Sequence, residues 1–250
     1  MKDANGASVQ RLSVLELLHN KLQGILCCLH PTKYKTLDAM LERKMMEMKR
    51  ASVRVPEHLN FKTIDSVLIK FPQFREGFQE IRNVFQQYDE DSDGILDIEE
   101  LKKCLHSIEL NDIDEAEIDN LFDYCNVDGN KGMQFNEFIV LLCLVYLLMD
   151  STPAETSKTN WPLIKRTFDA IVQVFLFLDK RGDGKLKRKD VVRALNEASP
   201  KEKSPAHITR TRFKEMDWDR NGRVSFKEFI YSFISWVGTE QDSESPEQHI

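Results

Sequence analysis

Apolar residues at steps of three and four surround an acidic stretch in the first half of the chain. They are Phe78, Ile81, Val84, Phe85 and Tyr88 before the stretch and Leu101, Cys104 and Leu105 after it. Such steps place the residues on one face of a helix. The stretch between them, DEDSDGILDIEE from Asp89 to Glu100, contains seven carboxylates and no basic residue. The pattern predicts two amphipathic helices joined by a polar twelve-residue loop.

The acidic loop has the residue types that a calcium ion needs, at a suitable spacing. Ca²⁺ takes about six to eight oxygen ligands, and a twelve-residue loop offers them from positions 1, 3, 5, 7, 9 and 12. Gly94 occupies position 6, where the chain turns sharply and a Cβ is costly. Position 7 contributes its backbone carbonyl, and the acid at position 12 contributes both carboxylate oxygens. The predicted ligands are Asp89, Asp91, Asp93, Ile95, Asp97 and Glu100.

The same arrangement occurs three more times along the chain. In each case a Phe lies four residues before the loop and apolar residues follow it; the loops are Asn126 to Glu137, Asp179 to Asp190 and Asp217 to Glu228. Loop starts are 37 residues apart in the first two units, 38 in the last two and 53 between the middle ones. This spacing indicates that the first hand pairs with the second and the third hand with the fourth. The sequence therefore predicts an all-α EF-hand fold: four helix–loop–helix hands in two pairs, with short β-pairing between loops and an N-terminal helical extension.

The spacing also predicts how the chain is organised. We expect an N-terminal helical extension over residues 1–60, a first EF-hand pair over 61–149, a linker over 150–160, a second pair over 161–238 and a disordered acidic tail over 239–250. The apolar runs from Phe138 to Met149 and from Ile171 to Leu178 are apolar on more than one face. We therefore expect the two lobes to pack together. The first run is too short to cross a bilayer, which needs roughly 20 residues.

The fourth loop, DWDRNGRVSFKE, is a second candidate calcium site. Gly222 takes position 6, and three acidic residues offset three basic residues, so that the loop is neutral. Since ligand charge tunes calcium affinity in such loops, we expect weaker binding here than at the first loop. The predicted ligands are Asp217, Asp219, Asn221, Arg223 through its carbonyl oxygen, Ser225 and Glu228.

The second and third loops depart from this pattern. In the second loop Asn126 replaces the usual Asp at position 1, and Lys131 takes the glycine position, where a left-handed backbone costs about 1–2 kcal/mol. The third loop has three acids and six bases, with Arg181 at a ligand position and Asp190 one methylene shorter than the usual Glu. We expect weak or structural binding in the second loop and none in the third. The expected total is therefore two calcium ions.

Two segments, FNEFIVLLCLVYLL (135–148) and MDWDRNGRVSFKEFIYSFISWVG (216–238), resemble the calmodulin-like EF-hand proteins of plants. The resemblance implies a calmodulin-like calcium sensor without enzymatic activity, which binds a target protein or amphipathic helix in a calcium-dependent way through one apolar groove in each pair. The residues expected to line the grooves are Phe78, Phe85, Leu101 and Leu105 in the first and Phe213, Phe229 and Phe233 in the second. The alternative is a calcium buffer, or a constitutive structural or regulatory subunit that does not open.

Composition narrows the function classes and the compartment. The chain of 250 residues carries a net charge of −6, whereas general nucleic-acid binders are usually basic. Five cysteines, an odd number without framework spacing, favour a reducing compartment. We expect a cytoplasmic protein, with the nucleus or a membrane surface as alternatives. The motifs HExxH and GxSxG and a phosphate-binding glycine loop do not occur, so catalysis is not predicted.

Residues 1–60 contain two apolar helical stripes. Leu15, Leu18, Leu22, Ile25, Leu26 and Leu29 form one, and Leu37, Met40, Leu41, Met45 and Met48 form another beside basic residues. Three interpretations stay open: packing on the lobes, a built-in pseudo-target in which the basic, Met-bearing helix occupies a groove, and peripheral membrane contact aided by S-acylation at Cys27 and Cys28. Since every predicted ligand follows this region, we expect residues 1–60 to be dispensable for calcium binding.

Overall fold

The structure, a computed structural model, describes residues 35–52, 61, 64–107, 115–148, 159–197 and 206–238. The chain divides into two compact units, Met1–Met40 and Leu41–Ile250. The described part of the first unit is the start of one helix, and the second unit contains all four hands. The stripe from Leu15 to Leu29, the two candidate acylation sites and the acidic tail lie outside the described residues.

The described residues form ten helices and four short strands, in the order that four consecutive hands require. The helices are α1 (Lys35–Ser52), α2 (Ile64–Leu68), α3 (Phe71–Tyr88), α4 (Ile98–Ser107), α5 (Glu115–Cys125), α6 (Phe135–Leu148), α7 (Trp161–Leu178), α8 (Arg188–Glu197), α9 (Ala206–Met216) and α10 (Phe226–Val237); the strands are β1 (Ile95–Leu96), β2 (Met133–Gln134), β3 (Leu186–Lys187) and β4 (Arg223–Val224). The four hands are α3–α4, α5–α6, α7–α8 and α9–α10. The predicted EF-hand fold is therefore confirmed.

Each pair of loops is joined by a two-residue antiparallel ladder. Strand β1 pairs with β2 and β3 with β4, with Leu96 opposite Met133 and Leu186 opposite Val224. These four apolar side chains are fully buried, so each ladder is anchored in the core. The pairing of hands that the loop spacing predicts is the one observed.

Helix α6 is buried on every side. Each residue from Phe138 to Val145 is buried, so no face of the helix is open to solvent over that stretch. A helix that is apolar all round must be covered all round. Helix α10 of the second lobe packs on α6, and α7 packs on both α6 and α3. The two lobes thus share one core, as the apolar runs predict.

Aromatic rings from both lobes meet in this core. The Phe233 ring of α10 lies edge-on to Phe74 and Phe71 of α3, with centroid separations of 5.0 and 6.0 Å. Beside them, Arg75 Nε donates a hydrogen bond to the Val237 carbonyl oxygen at 2.9 Å. Phe233 is a predicted groove residue, and here it is buried against the first lobe. The other six predicted groove residues are buried as well.

The C-terminal end of α5 is capped from the second lobe. Lys227 Nζ donates to the Tyr124 carbonyl oxygen at 3.0 Å and lies 4.0 Å from the centroid of that tyrosine ring. The Tyr231 hydroxyl donates to the Cys125 carbonyl oxygen at 3.1 Å. The last carbonyls of a helix have no intrahelical partner, so these bonds satisfy groups that would otherwise be orphaned. The fourth hand therefore fixes the end of α5, where the second loop begins.

Three of the five cysteines are described, and all three are buried free thiols. Burial raises the pKa of Cys104 and Cys125 to about 12, so both thiols stay protonated and unreactive at neutral pH. Among the described helices, none has the length and apolar character needed to cross a membrane.

Helices α3 and α7 approach closely where Gly77 faces Thr167. A Cβ on Gly77 would overlap the Thr167 side chain. Thr167 is fully buried, and its hydroxyl donates to the Leu163 carbonyl oxygen at 2.9 Å. A glycine inside a helix costs about 0.5–1 kcal/mol relative to alanine. The contact between the lobes explains why glycine occupies this position.

We predict that Gly77→Ala lowers the free energy of unfolding by about 1–3 kcal/mol, the usual range for an overpacked core. In a helix without a close neighbour, the same change would stabilise the protein by about 1 kcal/mol. Adding Thr167→Gly removes the overlapping atoms and should recover part of the loss. Denaturant unfolding of both single variants and the double variant measures this coupling. A stabilised Gly77→Ala variant would contradict the close packing.

Candidate metal centre

The first loop gathers its acidic side chains around one point. One carboxylate oxygen from each of Asp89, Asp91 and Asp93 lies within 4.8 Å of the others. Asp89 accepts hydrogen bonds from the amides of Asp93 and Gly94, both at 3.1 Å, and these bonds fix its orientation. Three anionic oxygens at this separation repel one another unless a cation neutralises them. The donor set fits a hard divalent cation such as Ca²⁺.

Glu100 closes the first loop from its other end. Its two carboxylate oxygens accept the amides of Glu90 at 2.8 Å and Asp97 at 3.0 Å. Asp97 in turn accepts the Glu100 amide at 2.8 Å, a reciprocal capping arrangement at the start of α4. The residue that we expect to bind with both oxygens is therefore held against the loop by the loop's own backbone.

The fourth loop repeats this arrangement. One carboxylate oxygen from each of Asp217, Asp219 and Glu228 lies within 4.8 Å of the others. Glu228 accepts the amides of Trp218 at 3.1 Å and Ser225 at 2.8 Å. Burial raises the pKa of the Glu228 carboxyl, and the hydrogen bonds from Ser225 oppose this shift. A bound cation would favour the ionised carboxylate, so this site also fits a metal ion.

The predicted ligands divide into those that converge and those that lie nearby. In the part of the chain that the structure describes, groups of three converging acids occur in the first and fourth loops only. Asp97 and Glu100 lie outside the first group, and each accepts the backbone amide of the other at the start of α4. Asn221 donates from Nδ2 to Asp219 at 2.5 Å and accepts the Arg223 amide at 2.8 Å. Ile95, Arg223 and Ser225 lie in or beside the paired strands.

The second loop avoids the strain expected at Lys131. Outside glycine, a positive φ among the described residues occurs at Ser92 and Arg220 and not at Lys131. The prediction of a left-handed lysine was wrong because this loop follows a different path. The Asn126 side-chain amide donates to the Asn130 carbonyl oxygen at 2.6 Å. In the other three loops, the acid at position 1 instead accepts the amide of position 6.

The acids of the second loop are held by neighbouring amides. Asp128 accepts the side-chain amides of Asn130 at 2.6 Å and Gln134 at 2.8 Å. Glu137 keeps the closing position, since it accepts the backbone amides of Val127 and Gln134, both at 2.8 Å. The loop thus retains its closing glutamate without a group of converging acids. This geometry supports a weak or structural role.

The third loop neutralises its own acids. Arg181 Nε lies 3.4 Å from Asp190 Oδ1, and Lys187 forms an ion pair with Asp183. The other Asp190 oxygen is buried without a hydrogen-bond partner. The glutamates at this position in the other loops each accept two backbone amides, and the shorter aspartate explains the difference. A cation entering this loop would meet positive charges already paired with the acids, which supports the prediction of no calcium here.

Position 4 of every loop has a positive φ, a feature that the ligand pattern does not predict. The values are 58° at Ser92 and 57° at Arg220 in the two candidate calcium loops, and 68° at Gly129 and Gly182 in the other two. Such a conformation is uncommon outside glycine and concentrates at functional sites. The glycines at this position in the second and third loops were the feature of the sequence that could have indicated a positive φ there.

Comparison with known proteins agrees with this architecture. The EF-hand domain pair family matches residues 78–142 and 168–234, more than half of the chain. The chain is 50% identical to probable calcium-binding protein CML22 of Arabidopsis thaliana over 221 residues. This match covers 86% of this chain and 95% of that protein. The chain belongs to the plant calmodulin-like EF-hand proteins. Probable calcium-binding protein CML21 of the same species is 40% identical, over 84% of this chain and 93% of that protein.

This calmodulin-like protein also matches part of larger proteins. Calcium-dependent protein kinase 9 of Oryza sativa subsp. japonica is 26% identical over 74% of this chain, but the match covers 27% of the kinase. A match to so small a part of the kinase carries no argument for kinase activity here. The similarity supports calcium-binding hands.

We predict that the calmodulin-like chain binds two calcium ions tightly, and that Glu100→Gln and Glu228→Gln each remove one. An amide supplies neither the second anionic oxygen nor the charge. Glu137→Gln is the matched control, because Glu137 makes the same pair of backbone contacts in the second loop. It should leave the tight stoichiometry unchanged. Calorimetry that finds three or four tight ions, or no loss after Glu100→Gln, would refute the assignment.

Asp190→Glu alone should not create a third site. The longer side chain can reach the backbone amides, but Arg181 and Lys187 still occupy the loop and pair with its acids. The loop also keeps a net positive charge, which repels a divalent cation. Calorimetric titration of this variant should give the same ion count as the unmodified chain. An additional ion after this single change would show that side-chain length, and not charge, disables the loop.

Proposed function

We propose that this protein is a calcium sensor. It binds Ca²⁺ at its first and fourth loops and then exposes apolar surface to a target protein or an amphipathic helix. The observation that carries the proposal is the combination of two converging acidic groups with a core in which every predicted groove residue is buried. A buffer needs only the acidic loops. A sensor also needs apolar surface that calcium can expose, and the buried groove residues at the contact between the lobes provide it.

The closing glutamates link the loops to the core. Glu100 and Glu228 lie in the first turns of α4 and α10 and accept hydrogen bonds from their own loops. A bound calcium ion would supply the positive charge that the converging carboxylates lack. One oxygen of Glu228 already converges with Asp217 and Asp219, whereas Glu100 lies outside the first group and has to turn toward the centre of its loop to bind the ion. The helix that carries the glutamate then moves with it.

A movement of α10 would act on the first lobe directly. Phe233 of this helix packs on Phe74, and the Val237 carbonyl oxygen accepts the hydrogen bond from Arg75. Packed interfaces change between discrete arrangements more readily than they deform continuously. The proposed sensor therefore exposes apolar surface where α10 meets α3, and not in two independent grooves.

The alternative function is a calcium buffer or a constitutive structural subunit. The burial of α6 on every side favours this alternative, because a fully covered helix resists opening. Buffer EF-hands bind calcium and barely open. The loss of converging acids from the second and third loops argues against a buffer, which gains capacity from several strong sites.

We propose a cytoplasmic location, on the basis of the cysteine count and the buried free thiols. The acidic net charge argues against nucleic acid as a partner. Membrane contact through Cys27 and Cys28 is a separate hypothesis about residues outside the described ranges. Metabolic labelling with a palmitate analogue tests it directly.

A hydrophobic dye distinguishes the sensor from the alternative. We predict that calcium raises the fluorescence of added anilinonaphthalene sulfonate, whereas an equal concentration of magnesium does not. Glu228→Gln should remove most of this rise, since α10 carries the residues shared with the first lobe, and Glu137→Gln should keep it. Calorimetry on the same samples confirms that calcium binds. Binding without a rise in fluorescence would establish the buffer or structural role.

A further inference from the structure

Helix α1 of the same chain covers the third loop. From Leu41 onward, this helix belongs to the compact unit that contains the hands. Its Glu42 carboxylate lies 2.7 Å from Lys185 Nζ, and its Lys49 Nζ donates to the Leu176 carbonyl oxygen at 2.5 Å. Leu41 and Met45 are 3% and 0% exposed. Polar contacts at two points and buried apolar side chains therefore fix the helix at this loop.

The helix backbone touches the loop at its glycine position. A Cβ on Gly184 would lie 2.6 Å from the Glu42 carbonyl oxygen and 3.0 Å from its Cα. Two residues earlier, a Cβ on Gly182 would lie 3.2 Å from Lys49 Cγ. At the equivalent position of the fourth loop, a Cβ on Gly222 would meet nothing within 4 Å. The third loop is thus covered at a position where the candidate calcium loops are open.

Helix α1 also brings a positive charge to the acid that begins the loop. Asp179 is fully buried, and its carboxylate accepts the amides of Gly182 at 2.8 Å and Gly184 at 2.9 Å. Burial lowers the pKa of the half-buried Lys49 ammonium, and the Asp179 carboxylate opposes this shift. In the two candidate calcium loops, the acid at position 1 is a predicted ligand of the ion. Here a lysine of the same chain supplies positive charge near that acid.

The covered loop is joined to the fourth loop by the β3–β4 ladder. Lys187 of β3 pairs with Arg223 of β4, and Arg223 is a predicted carbonyl ligand of the fourth site. Lys185, the partner of Glu42, directly precedes β3. The contact with the helix therefore lies next to the strand that positions a calcium ligand.

We propose that helix α1 takes the place of an ion in the third loop. Docking of residues 41–52 orders that loop and, through the β3–β4 ladder, prepares the fourth loop for calcium. In a pair of loops that both bind, occupation of one favours the other. In this protein the help comes from a protein segment and is present before calcium binds. The inference rests on the proposed calcium site in the fourth loop.

This docking changes one expectation from the sequence. Residues 1–60 contain no predicted ligand, and for that reason we expected them to be dispensable for calcium binding. Residues 41–52 should instead strengthen binding at the fourth loop while leaving the first loop, in the other lobe, unaffected. Of the three interpretations of this region, packing on the lobes agrees with the contacts of residues 41–52, because the polar contacts fall on the third loop and the end of α7.

A charge exchange tests the proposal. Glu42→Lys and Lys185→Glu each place like charges opposite one another, and the double variant restores an ion pair with reversed polarity. All are made in the full chain with Glu100→Gln, so that calorimetry reports the fourth loop. Each single change should weaken calcium binding about fivefold or more, within the usual range of coupling between sites, and the exchange should restore most of the affinity.

Lys185→Glu separates docking from simple electrostatics. Its added negative charge near the fourth loop would by itself strengthen calcium binding, whereas loss of docking weakens it. The rate of amide hydrogen exchange in residues 41–52 should rise in both single variants and fall again in the double variant with the reversed ion pair. Unchanged or tighter calcium binding by Lys185→Glu would overturn the proposal. Faster amide hydrogen exchange in residues 41–52 without a change in calcium affinity would also overturn it. Absence of any calcium binding in the Glu100→Gln chain would instead refute the fourth site itself, and the coupling with it.

A glycine pair provides a second test that does not alter charge. Gly184→Ala places a Cβ against Glu42, whereas Gly129→Ala in the second loop has a similar positive φ and meets nothing within 4 Å. Both variants suffer similar backbone strain. Only Gly184→Ala should weaken the fourth site and expose residues 41–52 to exchange. Equal effects of the two variants on the fourth site would overturn the proposal.

Discussion

Helix α6 buries every residue from Phe138 to Val145, and a single EF-hand pair cannot cover a helix that is apolar on all faces. Its remaining faces are covered by α10 and α7 of the second lobe. The lobes are therefore joined through their cores, and the aromatic residues of α10 fill space beside α3. Any exposure of the apolar surface has to begin by separating elements of different lobes. This requirement makes the present protein unlike a pair of independent calcium-binding modules.

The four loops share a positive φ at position 4 and differ in the groups that pair with their acids. The first and fourth gather acids around a point that fits a cation. In the second loop, the side-chain amides of Asn130 and Gln134 donate hydrogen bonds to Asp128. The third uses its own Arg181 and Lys187, and in addition is covered by a helix. Each loop remains ordered because its carboxylates find partners, whether or not an ion is one of them.

Much of this arrangement could be predicted from the sequence because it depends on local chemistry. Gly94 and the alternate acids fix the register of the first loop, and the spacing of loop starts fixes which hands pair. The shortened Asp190 and the misplaced Arg181 indicated an inactive loop, and their geometry agrees. These features need only residues that are close in the chain.

The features that escaped prediction depend on choices between alternatives. A lysine at the glycine position implied strain only if the backbone stayed left-handed, and the loop around Lys131 adopts another path. The apolar stripe of α1 indicated a buried face without indicating what covers it. The same applies to Phe233, whose hydrophobicity fits a groove or a shared core equally well. Sequence periodicity shows that a face is buried, but the partner is decided by packing between distant segments.

The capping of α5 by the second lobe has a consequence for how this chain tolerates change. Lys227 precedes the closing Glu228 directly, and its ammonium holds the Tyr124 carbonyl at the entrance to the second loop. Tyr231, one helical turn further, holds the next carbonyl. The second hand thus supports the fourth hand through these hydrogen bonds, independently of any ion in the second loop. Loss of the end of α5 would therefore release the segment that carries the last calcium ligand, whether or not the second loop holds an ion.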